Sequence, residues 1–243
     1  MLKIIFTCWC FIGFVFGDAY SLTIDGTKRH YEVFTSQTHP GKSPLIVFLH
    51  GLQNEDVVFP VEFIQSWKEK IQMHNFVLAL PKGIPGVFEN DPQAWGWGPK
   101  FAEENLAFVT QMIEHIKNHY VIDVDHIILF GYSNGAYFTA TLLQQKTNLP
   151  IHQFWLQGGG VSETIASQIP RKPVVLQIGT SDKWHYATVD ALDQHLKRNG
   201  WKEGENLLFE KLESSHDFSF EKFDTAYRFL MSHGAINFPD PGK

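Results

Sequence analysis

The sequence predicts an α/β architecture, a mainly parallel central sheet with helices on both faces, and three observations carry that expectation. Continuous apolar runs of strand length recur at 44–49, 127–130 and 174–178, the pattern of strands buried on both sides. Between such runs lie stretches with apolar residues at helical spacing, so strand and helix alternate to the end. No Pro/Ser-rich linker or internal repeat interrupts residues 18–243, which points to one domain.

The elements follow in order. Residues 20–24 and 30–36 are β-rich and flank Asp25-Gly26, the signal of a hairpin turn. The run 44–49 is a buried strand, followed by a helix over 58–73 and a strand at 76–80. Phe101, Leu106, Val109, Met112, Ile113 and Ile116 mark one side of a second helix, which leads to the strand at 127–130. A helix over 134–145, strands at 154–156 and 174–178, a helix at 187–198, a strand at 207–212 and a helix at 220–232 complete the order. The stretch 81–99 has no clear periodicity, and a loop of that length is a candidate wall of a substrate pocket.

Composition narrows the function classes. The 243 residues are 44% hydrophobic and 19% charged, enough for one filled core and too ordinary for disorder. Twenty Lys plus Arg against 26 Asp plus Glu give a net charge of −6, and no basic run tracks a phosphate backbone, which argues against nucleic acid. Met1-Leu2-Lys3 and the apolar run 4–17 read as a secretory signal, too short for a comfortable transmembrane helix. Val15 and Gly17 suit cleavage after Gly17, with Ala19 as the alternative. The expected organisation is a signal over 1–17 and a single domain over 18–243, secreted or periplasmic, with no stable membrane anchor. Both cysteines, Cys8 and Cys10, fall in the signal, so no disulfide framework is expected, and neither has the setting of a lipid-modified cysteine.

The most informative stretch is Ile127-Ile128-Leu129-Phe130-Gly131-Tyr132-Ser133-Asn134-Gly135-Ala136, an apolar strand, Gly-x-Ser-x-Gly, and a helix. Such a setting places Ser133 on a tight strand-to-helix elbow, where Gly131 and Gly135 leave room that any Cβ would fill. The helix N-terminus then points at the site, and the Asn134 N–H is placed to donate to an oxyanion. A serine nucleophile needs a base and an orienting acid, and in this architecture they follow it in the order acid, then His. Asp182 ends the strand 174–178 through Gly179-Thr180-Ser181, and His216 lies in the loop Glu213-Ser214-Ser215-His216-Asp217 after the last strand. His185 stands too close to Asp182 for an easy relay, although it is able to line the pocket, and His233 follows the last helix.

A second oxyanion donor is expected from the turn Leu49-His50-Gly51-Leu52, at the Leu52 N–H, with His50 as a buried structural residue. Trp95, Trp97 and Trp184 are candidates for an aromatic pocket. His115 and His119 have the i, i+4 spacing of metal ligands, but without a following Glu or a third ligand they read as a solvated helix face. There is no phosphate loop or dinucleotide fingerprint, so neither metal nor cofactor is expected.

Over about residues 40–230 the chain resembles the α/β-hydrolases, and within them the secreted esterases that include polyhydroxybutyrate depolymerases and feruloyl esterases. The resemblance rests on Pro44-Leu45-Ile46-Val47-Phe48-Leu49-His50-Gly51, Ala94-Trp95-Gly96-Trp97, Leu106-Ala107-Phe108-Val109, Ile122-Asp123-Val124-Asp125, Gly131-Tyr132-Ser133-Asn134-Gly135 and Gly179-Thr180-Ser181-Asp182. Members often carry cysteines near the His-Gly turn and beside the tryptophan pair; Leu52 and Ala94 stand there, so no disulfide-braced pocket is implied. Polymer-degrading members tend to carry an extra binding module, which is not expected within residues 18–243, those after the signal. The resemblance therefore implies an exported serine carboxylesterase acting on small or oligomeric esters, with Ser133, Asp182 and His216 as its triad. Another acyl hydrolase (lipase, thioesterase or peptidase) and a non-catalytic binding protein on the same fold stay open as alternatives, as does the oligomeric state.

Overall fold

A computed structural model of the chain describes residues 15–36, 41–53, 58–89, 93–144, 149–161 and 171–234. Among these, β1 (Val15–Ile24), β2 (Thr27–Ser36) and β3 (Ser43–Leu49) precede α1 (Val61–His74), β4 (Val77–Pro81) and α2 (Pro99–His119). Next come β5 (Ile122–Tyr132), α3 (Asn134–Leu143), β6 (Gln153–Gln157), β7 (Val174–Gly179), α4 (Tyr186–Arg198), β8 (Leu207–Leu212) and α5 (Phe223–Met231).

The strands form one sheet in the order β1-β2-β4-β3-β5-β6-β7-β8. β1 and β2 are the expected antiparallel hairpin, turned at Asp25 and Gly26, both at positive φ (48° and 84°). β2 runs antiparallel to β4, and from β4 through β8 every pairing is parallel. The fold is thus the mainly parallel α/β sheet that the apolar runs predict. Residues 1–14 of the expected signal lie outside the described residues, and Val15, Phe16 and Gly17 are the first three of β1, paired with Ser36, Thr35 and Phe34.

The apolar runs are continuous because each central strand feeds two cores. In β3, Leu45, Val47 and Leu49 face one layer while Ile46 and Phe48 face the other, and β5 divides Ile127 and Leu129 from Ile128 and Phe130 in the same way. The first layer is closed by α2, α3 and α4 through residues such as Met112, Phe138 and Leu192, and the second by α1 and α5 through Trp67, Ile71, Phe223 and Leu230.

Several boundaries differ from the periodicity: β1 starts at Val15 rather than at residue 20, β2 at Thr27 rather than at 30, and α1 at Val61 rather than at 58. β5 starts at Ile122, five residues before its apolar run, and the pairing with β3 shifts register between Ser43 and Leu45. Asp123, Val124, Asp125 and His126 carry that extension at the sheet's margin, where no second layer selects apolar residues. The last helix starts at Phe223 because the chain before it turns, with Lys222 at φ 56°.

Candidate active site

The carboxyl ends of β3, β5, β7 and β8 lie along one edge of the sheet, and the segments leaving them carry His50–Leu52, Ser133, Asp182 and His216. Ser133 sits between β5 and α3 at φ 50°, ψ −116°, a conformation that L-residues rarely adopt. Its N–H donates to Gln157 O (2.9 Å), and its carbonyl accepts from Ala136 and Tyr137 in the first turn of α3. The two flanking glycines are required by close approach: a Cβ on Gly131 would lie 2.3 Å from Gly135 O, and one on Gly135 would lie 2.2 Å from Leu49 O.

The elbow delivers Ser133 Oγ to within 2.7 Å of His216 Nε2. On the other side of the ring, His216 Nδ1 lies 2.5 Å from Asp182 Oδ2. Asp182 is held by its backbone turn, its N–H donating to Gly179 O (3.0 Å), while Ser181 N–H donates to Ser214 O (3.1 Å) and so ties the Asp182 segment to the His216 segment. The Asp182 side chain is 1% exposed. Burial opposes its charge, yet hydrogen bonds from His185 and His216 outweigh it and hold the carboxyl below its ordinary range. An ionised carboxylate accepts from Nδ1–H of His216, which leaves Nε2 as the lone-pair nitrogen facing Ser133. The chain Ser133–His216–Asp182 is therefore assembled with its proton-accepting end at the serine.

The loop bearing His216 is pinned at both ends. Tyr132 Oη donates to His216 O (2.9 Å), and the buried Gln157 side chain accepts from Ser219 N–H and donates to Ser219 O, each at 2.9 Å. Neither Tyr132 nor Gln157 stands out in the sequence, because a tyrosine and a glutamine have no signature apart from the loop they hold. Asp182 also meets a second imidazole, that of His185, which the short spacing between the two residues made an awkward relay partner for the serine. His185 Nδ1 lies 2.9 Å from Asp182 Oδ1, and its backbone N–H donates to the same oxygen (3.2 Å). The spacing Asp-x-x-His at the start of a helix is the signal that was available, since an aspartate there accepts from N–H groups two to three residues on.

The oxyanion candidates lie beside the serine. The turn after β3 abuts the elbow: a Cβ on Gly51 would come within 3.2 Å of Ser133 Cβ, and Gly135 N–H donates to His50 O (3.1 Å). The Leu52 and Asn134 N–H groups flank that contact in sequence. The Asn134 side chain is turned away, paired both ways with the Trp95 backbone at 2.7 and 3.1 Å.

His50 is 2% exposed and structural, as expected. Its Nε2 accepts from Gly83 N–H (2.9 Å), so the proton resides on Nδ1 and is donated to Gly51 O (2.6 Å). Burial, aided by Lys82 and Arg29 against the Gly51 hydrogen bond, pulls its pKa from 6.5 to about 4. An unfolded His50 takes up a proton below pH 6.5 while the folded one stays neutral down to about 4. Its stabilisation is therefore complete above that window and lost as pH falls through it, by roughly 3 kcal/mol at most. Urea melts of wild type and His50→Asn from pH 7 to pH 4 are expected to show a steeper loss in wild type; equal slopes contradict this role.

The three tryptophans separate. Trp95 is fully buried between His50 and Phe138, ring centroids at 5.4 and 6.0 Å, and so belongs to the core rather than to a pocket. Trp184 is 89% exposed, while Asp182 and His185 of the same turn pair with each other. Trp97 is half-buried against Tyr137 (5.5 Å), whose ring lies 6.1 Å from His185. His115 and His119 are stacked at 4.1 Å, with His115 Nδ1 2.6 Å from Tyr31 Oη, so that helix face is packed by tyrosines rather than simply solvated.

Among the described residues, Asp182, His185 and His216 are the set whose ligand atoms could gather on a metal, all within 4.8 Å of one another. Those atoms are already joined by hydrogen bonds, and the two rings lie face to face, which directs their in-plane lone pairs past a common point between them. The arrangement suits proton handling. No helix among the described residues is long and apolar enough to cross a membrane.

No protein-family model matches the sequence. A bifunctional acetylxylan esterase/xylanase from Neocallimastix patriciarum is 27% identical over 126 residues, which is 51% of this chain and 17% of that protein's length. Solved structures agree in fold at low identity. A ferulic acid esterase superposes with a TM-score of 0.68 at 13% identity, covering 90% of this chain and 98% of the other. A thermostable esterase gives 0.65 at 17% over 90% of this chain and 63% of its own. A ferulic acid esterase from Anaeromyces mucronatus, in complex with ferulic acid, gives 0.61 at 16% over 92% and 91%. The strand order, the serine elbow and these likenesses give the chain the α/β-hydrolase fold.

Proposed function

We propose that the protein is a serine ester hydrolase acting on small or oligomeric carboxylic esters, and that residues 1–17 are an export signal. The observation that carries the first part is the hydrogen-bonded run from Ser133 Oγ through His216 to the buried Asp182, at 2.7 and 2.5 Å. Ser133 Oγ attacks the ester carbonyl as His216 Nε2 takes its proton, and Asp182 steadies the imidazolium that forms. The Leu52 and Asn134 N–H groups receive the oxyanion. His216 then returns the proton to the leaving alcohol; a water deprotonated by the same nitrogen attacks the acyl carbonyl, and His216 gives that proton to Ser133 Oγ as the acid departs. Every step moves one proton along His216, and none calls for a metal or cofactor.

Trp97, resting on Tyr137, whose ring lies 6.1 Å from His185, is the aromatic surface assigned here to the proposed acyl or phenolic pocket. The esterases of like fold and partial sequence likeness favour an ester substrate over the peptide, thioester or lipid alternatives. Cleavage after Gly17 leaves β1 from Asp18 onward, and Asp18 keeps the hydrogen bond that its carboxylate accepts from Tyr120 Oη (2.9 Å).

The test is hydrolysis of a p-nitrophenyl ester series from acetate to palmitate by residues 18–243. Turnover that falls with acyl length, and falls at short lengths when Trp97 is changed to Ala, is the expected result. Turnover confined to amide or thioester substrates would refute the assignment.

A further inference from the structure

Asp182 is shared by two imidazoles, and the mechanism above uses one of them. We propose that His185 is a positioning residue of the same site: it fixes the Asp182 carboxylate and backs the His216 ring so that Nε2 stays aimed at Ser133 Oγ. The proposal rests on the reading of Ser133, His216 and Asp182 as the hydrolytic machinery.

The geometry divides the carboxylate cleanly. Oδ2 accepts from His216, and Oδ1 accepts from both the ring and the backbone N–H of His185. A carboxylate turns about a single bond, and one oxygen engaged by His216 leaves the other to determine its tilt. His185 supplies the two donors that set it. The His185 and His216 rings are stacked, centroids 3.8 Å apart and planes 18° from parallel, so His185 also occupies one side of the ring that must carry a proton. His185 is itself firmly placed at the start of α4, where its carbonyl accepts from Thr188 Oγ1 (2.8 Å) and from the Thr188 and Val189 N–H groups. A side chain anchored on a helix terminus is a more exact support than one on a free loop.

Two substitutions separate donor from ring. His185→Phe keeps a stacked ring and loses the side-chain donor, whereas His185→Asn carries an amide N–H close to where Nδ1 stands and loses the ring. The readouts are kcat and KM for p-nitrophenyl acetate and the second-order rate at which diisopropyl fluorophosphate labels Ser133. His185→Phe is expected to lower kcat and the labelling rate about tenfold with KM within about twofold, and His185→Asn to recover most of that loss. In an Asp182→Asn background the effect of His185→Phe on labelling is expected to shrink below about twofold, because its action passes through the carboxylate. A merely structural role would persist in that background.

Ser133→Ala distinguishes the two levels of failure. Wild-type turnover in Ser133→Ala overturns the reading of the site and this proposal with it. Loss of turnover in Ser133→Ala, with His185→Phe equal to wild type or equally impaired with and without the Asp182 carboxylate, overturns the role of His185 alone.

Discussion

Ser133→Gly is expected to be more stable than Ser133→Ala by about 1–2 kcal/mol while both have lost turnover by about 10⁴-fold or more. The reason lies in the backbone: Ser133 stands at φ 50°, ψ −116°, and any Cβ there meets the same steric opposition, alanine's included. Glycine alone relieves it, less the roughly 0.5–1 kcal/mol that its freer unfolded chain takes back. Both variants lose the Oγ contact with His216, so that difference cancels between them. In a domain of this size the gap corresponds to roughly 2–8 °C in Tm, readable by calorimetry. Equal melting temperatures would mean that the elbow holds no strain. The strain has a mechanistic use, since it keeps Oγ clear of its own strand and facing His216.

Gly135→Ala is expected to be strongly disruptive. Its Cβ would stand 2.2 Å from Leu49 O and 2.7 Å from His50 O, both backbone atoms that no rotamer change can withdraw. Relief requires α3 to lift from the end of β3, which breaks the Gly135 N–H to His50 O hydrogen bond and moves the first turn that carries the Asn134 N–H. Overpacking against fixed backbone puts the loss at about 3 kcal/mol or more, and a displacement of even about 1 Å at the serine lowers turnover on the order of 100-fold. Gly41→Ala is the control: open space surrounds its Cβ, and a change within about 0.5 kcal/mol is expected. Denaturant midpoints of the two variants check both figures, and a Gly135→Ala protein with wild-type stability and turnover would contradict the account of the elbow.

The fold was legible because the central strands are buried on both sides. Leu45, Ile46, Val47, Phe48 and Leu49 are all interior, so their apolar run is unbroken and its length alone marks a strand. Ser133 was legible for a related reason: the close approaches at Gly131 and Gly135 exclude every other residue and so print themselves into the sequence. Where side chains face two environments the signal fades. Trp95 and Trp184 read alike as tryptophans, yet one is packed between His50 and Phe138 and the other stands in solvent, a difference set by which way a turn faces. The contact of His185 with Asp182 is set by the first turn of α4, which the spacing of three residues does not by itself reveal. Gln157 holds Ser219 from a strand 62 residues away, and no local pattern can announce a contact of that range.

The most direct measurement is the site of covalent labelling by a fluorophosphonate, mapped by peptide mass spectrometry on wild type and on His216→Ala. The account predicts a single adduct on Ser133, formed at a rate that falls by orders of magnitude in His216→Ala. Ester hydrolysis that proceeds with Ser133 unlabelled, or an adduct on Ser133 formed equally fast without His216, would contradict it.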